Sequence, residues 1–432
     1  MTGGPPRVAD RADFADSRGR PRVAITGMGV QTPAGRDLKV FIDTVYAGRS
    51  CARPLNRPEP GVAGSRIACQ ITDFDAGRYA SAKTLRRTDR FAQLALAAAL
   101  DAYVDAGSPQ LDRSRAGISS GTYAGGLATL QQAALAVARG GPSAASPLTT
   151  SMFMGSAAAA LIAMELGWHG PNSTASTASA SGSDAIGQGM RMIQCGEADT
   201  VLAGAADSGG LSEVVLSSFD AAGALSTRNA DPATATRPFD ADRDGHVIAE
   251  GAAFLLLERL DLAVERGARI YAEASGYART CDAHHVSAPH PGGCWTAACM
   301  AAALADAGLA AGEVRQVNCH ATGTRLGDAA EAAALRAAFP EGPPPVTASK
   351  GVLGHLQGAA GAAEAVIAIW SCRGGLVPPT AGHRRLAADC AGLDVVVGGP
   401  REVGPGPALS NSFGLGGQNA SLVFVPYRGS ES

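Results

Sequence analysis

Residues 173–190 read STASTASASGSDAIGQGM. Small side chains fill the first half, and beyond Gly182 the pattern is helical over roughly 183–194. Such a segment presents one polar side chain just ahead of a helix, where free backbone N–H groups and the helix dipole favour an anion. Upstream, 23–26 reads as a strand, Gly27-Met-Gly29 as a structural turn behind it, and 32–35 as another turn. Residues 91–106 carry helical spacing and stop at Gly107, and 115–121 is a short strand entering a glycine loop. Downstream, strands at 200–203, 252–258, 270–276, 317–319 and 409–413 alternate with helices at 260–266, 296–307, 331–338 and 358–370. This order implies an α/β protein with mixed, mostly parallel sheets. The pattern restarts near Arg269, so two similar halves are expected, 21–267 and 268–428, each sandwiched by helices. A tail over 1–20, rich in Pro, Gly, Arg and Asp, reads as disordered. No self-repeat is visible in the residues, and the duplication rests on element order.

Composition narrows the function. The chain has 432 residues with a formal charge of −3, too close to neutral for a nucleic-acid or anionic-membrane partner. No apolar run reaches the roughly 18 residues that span a bilayer, and the amino terminus has no apolar signal region. Nine cysteines are scattered without a CxxC pair, which excludes a disulfide or zinc framework and fits a reducing cytoplasm. The histidines form no ligand-spaced set, so no metal is expected.

Three motifs set polar groups among glycines at strand-to-helix junctions. They are NCHATGTRLGDAAE (318–331), SKGVLGHLQGAAG (349–361) and NSFGLGGQN (411–419). His320 alone reads as a structural histidine, His355 likewise, and 414–417 as a turn. Together, two histidines, a lysine and a glycine loop are how a doubly wound fold gathers a site at the carboxyl ends of its strands.

These motifs, with 173–190, 199–208 and 226–251, resemble the β-ketoacyl synthases, condensing enzymes of the thiolase-like superfamily. The resemblance runs from about 23 to 425, first to ketosynthase subunits of type II polyketide synthases and next to type II fatty-acid ketosynthases. It implies a thiolase-like fold, αβαβα in layers, and decarboxylative condensation of a malonyl thioester with an acyl chain. By resemblance, His320 and His355 bind the malonyl carbonyl and stabilise the enolate, with Lys350 intact beside them. A carbanion of this kind needs donors on its oxygen in a site with little water. Thr322 and Thr324 would contact the phosphopantetheine arm, and Glu331 would support the site by hydrogen bonds. Ser179, Phe413 and Gly414 would form the oxyanion hole and its gate. No cofactor is implied beyond the phosphopantetheine of an acyl carrier protein. Lys83, Arg86 and Arg87 fall where such enzymes dock that acidic carrier, although alone they read as a solvated helix start. Residues 151–170 match a region that builds a two-fold dimer interface and the acyl tunnel. The dimer is either homomeric or formed with a chain-length-factor subunit.

In one respect the chain departs from the family. The nucleophile frame, Thr177-Ala-Ser179-Ala-Ser-Gly182, holds serine where the family has cysteine; Ser176 and Ser181 fall outside the frame. A helix N-terminus lowers a thiol's pKa usefully, whereas a hydroxyl starts far from ionised and needs a base. Three readings stay open: a Cys-to-Ser substitution made to disable or trap condensation, a natural serine-type acyltransferase, or a non-catalytic partner subunit. Retention of His320, His355 and Lys350 argues against the last. A thiolase would need a second cysteine near the carboxyl end, and Cys390 stands in no such motif.

Overall fold

A computed structural model describes residues 14–55 and 64–429. Ten strands form its main sheet: β1 (Val23–Gln31), β2 (Ala116–Gly121), β3 (Asn172–Ala175), β4 (Thr200–Asp207), β5 (Gly251–Arg259), β6 (Ala272–Cys281), β7 (Gln316–Asn318), β8 (Val346–Thr347), β9 (Ala408–Gly414) and β10 (Gln418–Val425). Their spatial order is β8-β7-β9-β10-β6-β1-β5-β4-β2-β3. Within either half the strands therefore lie third-second-fourth-fifth-first. In both, the second strand is parallel to the third and fourth, and the fifth is antiparallel to its neighbours. The first strands of the halves, β1 and β6, pair antiparallel from Val23 against Ala274 to Ile25 against Ala272 and make the sheet continuous. The duplication absent from the residues is thus present in the topology. The expectation of mostly parallel pairing needs correcting. Parallel pairs join only the third, second and fourth strands of each half, because the fifth strand runs opposite to them and lies between the fourth and the first.

Helices fill the layers around this sheet. α1 (Arg90–Asp105) and α2 (Ala157–Leu166) cover the outer face of the first half through a core that includes Phe91, Leu94 and Ile162. α4 (Cys294–Ala307) and α5 (Arg325–Ala338) cover the second through Met300, Leu304 and Leu335. Between the halves lie α3 (Ser181–Gln194) and α6 (Ala360–Gly374), which occupy equivalent places, each following its half's third strand. Both are buried over most of their length, as the middle layer of such a stack must be.

Gly27 and Gly29 form no turn. Both lie within β1, where the carbonyls of Ala102 and Ala98 on α1 come so close that a Cβ on either would collide with them. The backbones of strand and helix touch, which only glycine permits. Glycine governs the α3–α6 contact as well. A Cβ on Gly182 would fall 2.6 Å from the Ala362 amide nitrogen and 2.9 Å from the Gly358 carbonyl oxygen. The two helix N-termini are thereby drawn together.

Of the tail expected over 1–20, residues 1–13 lie outside the described residues, and the rest is fastened down. Arg18 and Arg20 both reach Asp306 on α4, at 3.0 and 2.9 Å, and Ala15 bridges to Pro21.

Candidate active site

The turn from β3 into α3 decides which serine is presented. Ala178 sits at φ 51°, a left-handed conformation that costs a non-glycine residue strain. Ser181 braces this turn: its Oγ accepts from the Thr177 N–H at 2.9 Å and donates to the Ala178 carbonyl at 2.7 Å. Ser176 is exposed. Only Ser179 of the three lines the cavity described below, in the frame anticipated from the sequence. Its Oγ lies 2.9 Å from His355 Nε2. The end of β9 runs against the same turn, since a Cβ on Gly414 would fall 2.7 Å from Thr177 O and 3.1 Å from the Ser179 nitrogen.

Two loops of the second half supply the histidines. His320 follows β7, and His355 follows β8 ahead of α6; their rings meet edge to face at 5.6 Å. Phe413, at the end of β9, packs on His320 at 5.8 Å. Burial, with the Lys350 charge nearby, drives the pKa of both histidines well below the ordinary value, so both are neutral at pH 7. A neutral imidazole near Ser179 can accept the hydroxyl proton or donate to an oxygen. For a serine triad the other ring nitrogen of His355 would be held by a carboxylate. Nδ1 of His355 is instead buried with no hydrogen-bond partner among the described residues. Ser179 and His355 are a pair without an orienting acid.

Glu331, on α5, does not touch either imidazole. Its carboxylate accepts from the His320 and Ala321 amides at 2.9 and 2.7 Å, pinning the 318–322 loop. Burial raises its pKa to about 7 against the pull of those amides. Asp328, one helical turn earlier, accepts from Gly323 at 3.0 Å and from Phe239 at 2.7 Å. Lys350 is fully buried and bonded to Glu364 on α6, a pair that also takes the Ser349 hydroxyl at 3.1 Å. It sits behind the histidines, and its charge acts on them from outside the cavity wall.

A cavity of about 550 Å³ connects these groups, and its wall includes Ser179, His320, His355, Glu331, Phe413 and Gly414. Thr322 and Thr324 line it too, their hydroxyls 3.0 Å apart. Lys83, Arg86 and Arg87 do not belong to this wall. They stand exposed on the short helix Ala82–Leu85 and just after it. The sequence reading missed His246, which lies between Gly245 and Val247 in a polar loop without periodicity. In the structure its ring meets His355 at 5.1 Å and lines the same cavity. It also missed Asp207, a buried end-of-strand carboxylate that accepts from Thr122 Oγ1 and the Tyr123 amide at 2.9 and 2.7 Å, with a pKa pushed by burial to about 7.

Known proteins resemble this chain over most of its length. Residues 20–263 match the family described as beta-ketoacyl synthase, N-terminal domain, and 271–384 the corresponding C-terminal domain. The chain is 38% identical over 411 residues to 3-oxoacyl-[acyl-carrier-protein] synthase 2 of Synechocystis sp., covering 94% of this chain and 98% of that one. It is 36% identical over 413 residues to the synthase of the same name in Staphylococcus aureus, covering 94% and 98%. Among solved structures, the ishigamide ketosynthase/chain length factor superposes with a TM-score of 0.89 at 35% identity, covering 95% of this chain and all of that one. A beta-ketoacyl synthase from Burkholderia phymatum gives 0.88 at 33%, over 94% and 100%. A type II polyketide ketosynthase in complex with its acyl carrier protein gives 0.87 at 30%, over 95% and 100%. With both domains of the family matched and relatives above 30% identical along almost its whole length, the chain belongs to the β-ketoacyl synthase family, with a thiolase-like fold.

Proposed function

We propose that this chain works as a β-ketoacyl-acyl carrier protein synthase-type acyltransferase in polyketide or fatty-acid synthesis, with Ser179 in the nucleophile's place. The acyl group passes from a carrier thioester to Ser179 Oγ, releasing the carrier thiol and giving an ester. A malonyl thioester then loses carbon dioxide between His320 and His355, whose N–H groups stabilise the enolate oxygen. The enolate carbon attacks the ester, giving a 3-oxoacyl thioester and returning the Ser179 hydroxyl. The observation that carries this reading is the meeting of Ser179 Oγ with His355 Nε2 at 2.9 Å, in a cavity that His320 also lines. The backbone N–H groups of Ser179 and Phe413, at the turn where Gly414 closes in, are the oxyanion donors.

Thr322 and Thr324 are assigned to the phosphopantetheine arm, and Lys83, Arg86 and Arg87 to docking an acidic carrier protein, where charge raises the encounter rate. No resident cofactor is required. Relatives titled as a ketosynthase with its carrier protein and as a ketosynthase/chain length factor support a carrier partner and a ketosynthase-like second subunit, either identical or not. A cytoplasmic setting fits, and no described helix is long and apolar enough to cross a membrane. The serine-type acyltransferase is the second reading, favoured by one fact: a neutral His355 stands within hydrogen-bond reach of the hydroxyl it would deprotonate.

The test is intact-mass spectrometry of the protein and its Ser179→Cys variant after incubation with an acyl-carrier thioester, followed by malonyl carrier. Acylation and condensation by the serine form support the proposal; acylation and condensation by the cysteine form alone overturn the role of Ser179 and identify a condensing enzyme disabled at residue 179. Acylation of the serine form, with transfer to an acceptor and no condensation, identifies the acyltransferase. No adduct on either form overturns both and leaves the partner-subunit reading.

A further inference from the structure

Among the described residues that line the cavity, Arg325 is the only lysine or arginine. It is exposed, and its guanidinium has no hydrogen bond or ion pair among the described residues. The acidic groups of the same wall are already engaged. Asp244 stands 3.6 Å from Arg228, and Asp282 accepts from the His290 N–H at 2.9 Å and from Asn419 Nδ2 at 2.8 Å. Glu331 is taken up by the two amides of the 318–322 loop. The backbone beneath Arg325 is fixed from inside the molecule. Buried Arg243 donates from Nε to the Thr324 carbonyl at 3.2 Å and from Nη2 to the Arg325 carbonyl at 2.9 Å, and Asp389 holds it at 2.7 Å. Space next to the neighbouring threonines is kept clear by Gly327, where a Cβ would fall 2.6 Å from Thr324 Oγ1 and 3.6 Å from Thr322 Oγ1.

Two hydroxyls followed by a free guanidinium fit a polar chain that ends in an anion. A guanidinium presents a planar fork of donors that matches the oxygens of a phosphate. We propose that Arg325 binds the phosphate at the end of the pantetheine arm and is a specificity-determining residue, so that phosphorylated arms are held in preference to neutral pantetheine thioesters. The assignment rests on the placing of Thr322 and Thr324 against that arm in the proposed function. A phosphate ends the arm both in a carrier protein and in coenzyme A. Arg325 is one cation, enough for the single phosphate of a carrier and too few for the several phosphates of the coenzyme. Leu326 and Leu415, exposed on the same wall, add no charge. The carrier is therefore the source of the phosphate.

The experiment is calorimetric binding of octanoyl pantetheine amide, its terminal phosphate ester and the octanoyl amide analogue of coenzyme A to the protein and to Arg325→Ala and Arg325→Lys. In the unmodified protein the phosphate ester is expected to bind at least about tenfold more tightly than the neutral amide. That advantage should fall below about threefold in Arg325→Ala and return in part in Arg325→Lys, which keeps the charge without the fork. The neutral amide should bind all three proteins alike, which separates loss of a phosphate contact from damage to the cavity. Binding of the neutral amide with no phosphate advantage, or the same advantage in Arg325→Ala, overturns the role of Arg325 and leaves the threonine assignment standing. The coenzyme analogue is expected to bind no more tightly than the phosphate ester; a further gain of about tenfold, lost in Arg325→Ala, overturns the carrier as the source and identifies free coenzyme. Failure of all three ligands to bind any of the three proteins overturns the pantetheine reading of the cavity, and the Arg325 assignment with it.

Discussion

At residue 179 the difference between oxygen and sulfur separates two steps that family chemistry runs together. Acylation needs a nucleophile, and a hydroxyl beside an unoriented imidazole is a poor one. Decarboxylation needs only donors where the enolate oxygen forms, and in the proposed function these are His320 and His355, whatever stands at 179. Ser179→Ala is therefore expected to release carbon dioxide from malonyl carrier within about tenfold of the unmodified rate, while His320→Ala and His355→Ala each lose about 10²–10³-fold. A carbon dioxide assay checks this; equal losses in all three variants would show that the serine participates in decarboxylation.

At the scale of elements, the site exists because two equivalent helices meet end to end. α3 and α6 each follow the third strand of their half, and glycine at 182 and 361 removes the side chains that would part them. A Cβ on Gly182 meets backbone atoms of α6 and of the turn just before it, which cannot swing aside as a side chain could. Gly182→Ala is expected to destabilise by about 1–3 kcal/mol, the usual range for overpacking a filled core. Gly374→Ala, at the far end of α6 where a Cβ meets nothing within 4 Å, should instead stabilise by up to about 1 kcal/mol. Urea midpoints of the two variants give the comparison, and similar shifts would refute the packing argument. The same physics explains the misread Gly27-Met-Gly29. Glycines spaced this way look like a turn along the chain, but here their purpose is the contact with α1, to which local sequence carries no pointer.

For the whole molecule, burying three histidines in one cavity couples stability to pH. Unfolded histidine protonates near 6.5, whereas His246 in the fold resists until about 4. Between those values the unfolded chain binds more protons, so the contribution of His246 is intact above about 6.5 and is lost as pH falls toward 4. At pH 5 the loss is about 2 kcal/mol, at 1.36 kcal/mol per pKa unit. The stability lost between pH 8 and pH 5 should therefore be about 2 kcal/mol smaller in His246→Phe, measured by urea unfolding at both values. Parallel pH dependence in the two proteins would contradict it. The sequence by itself determined the alternation of elements, the strand-to-helix junctions and the glycine-flanked polar motifs, all of them local and encoded by spacing and by which residues tolerate tight turns. The choice of Ser179 over Ser176 and Ser181 for the nucleophile's place came from resemblance to the family's frame. The tertiary structure alone decided that β1 and β6 join the halves, that Lys350 acts from behind the wall, and that His246 turns into the cavity. Those outcomes depend on which surfaces pack. Ser179 and His355 stand 176 residues apart along the chain, and no short-range pattern reports a contact made by packing at that separation.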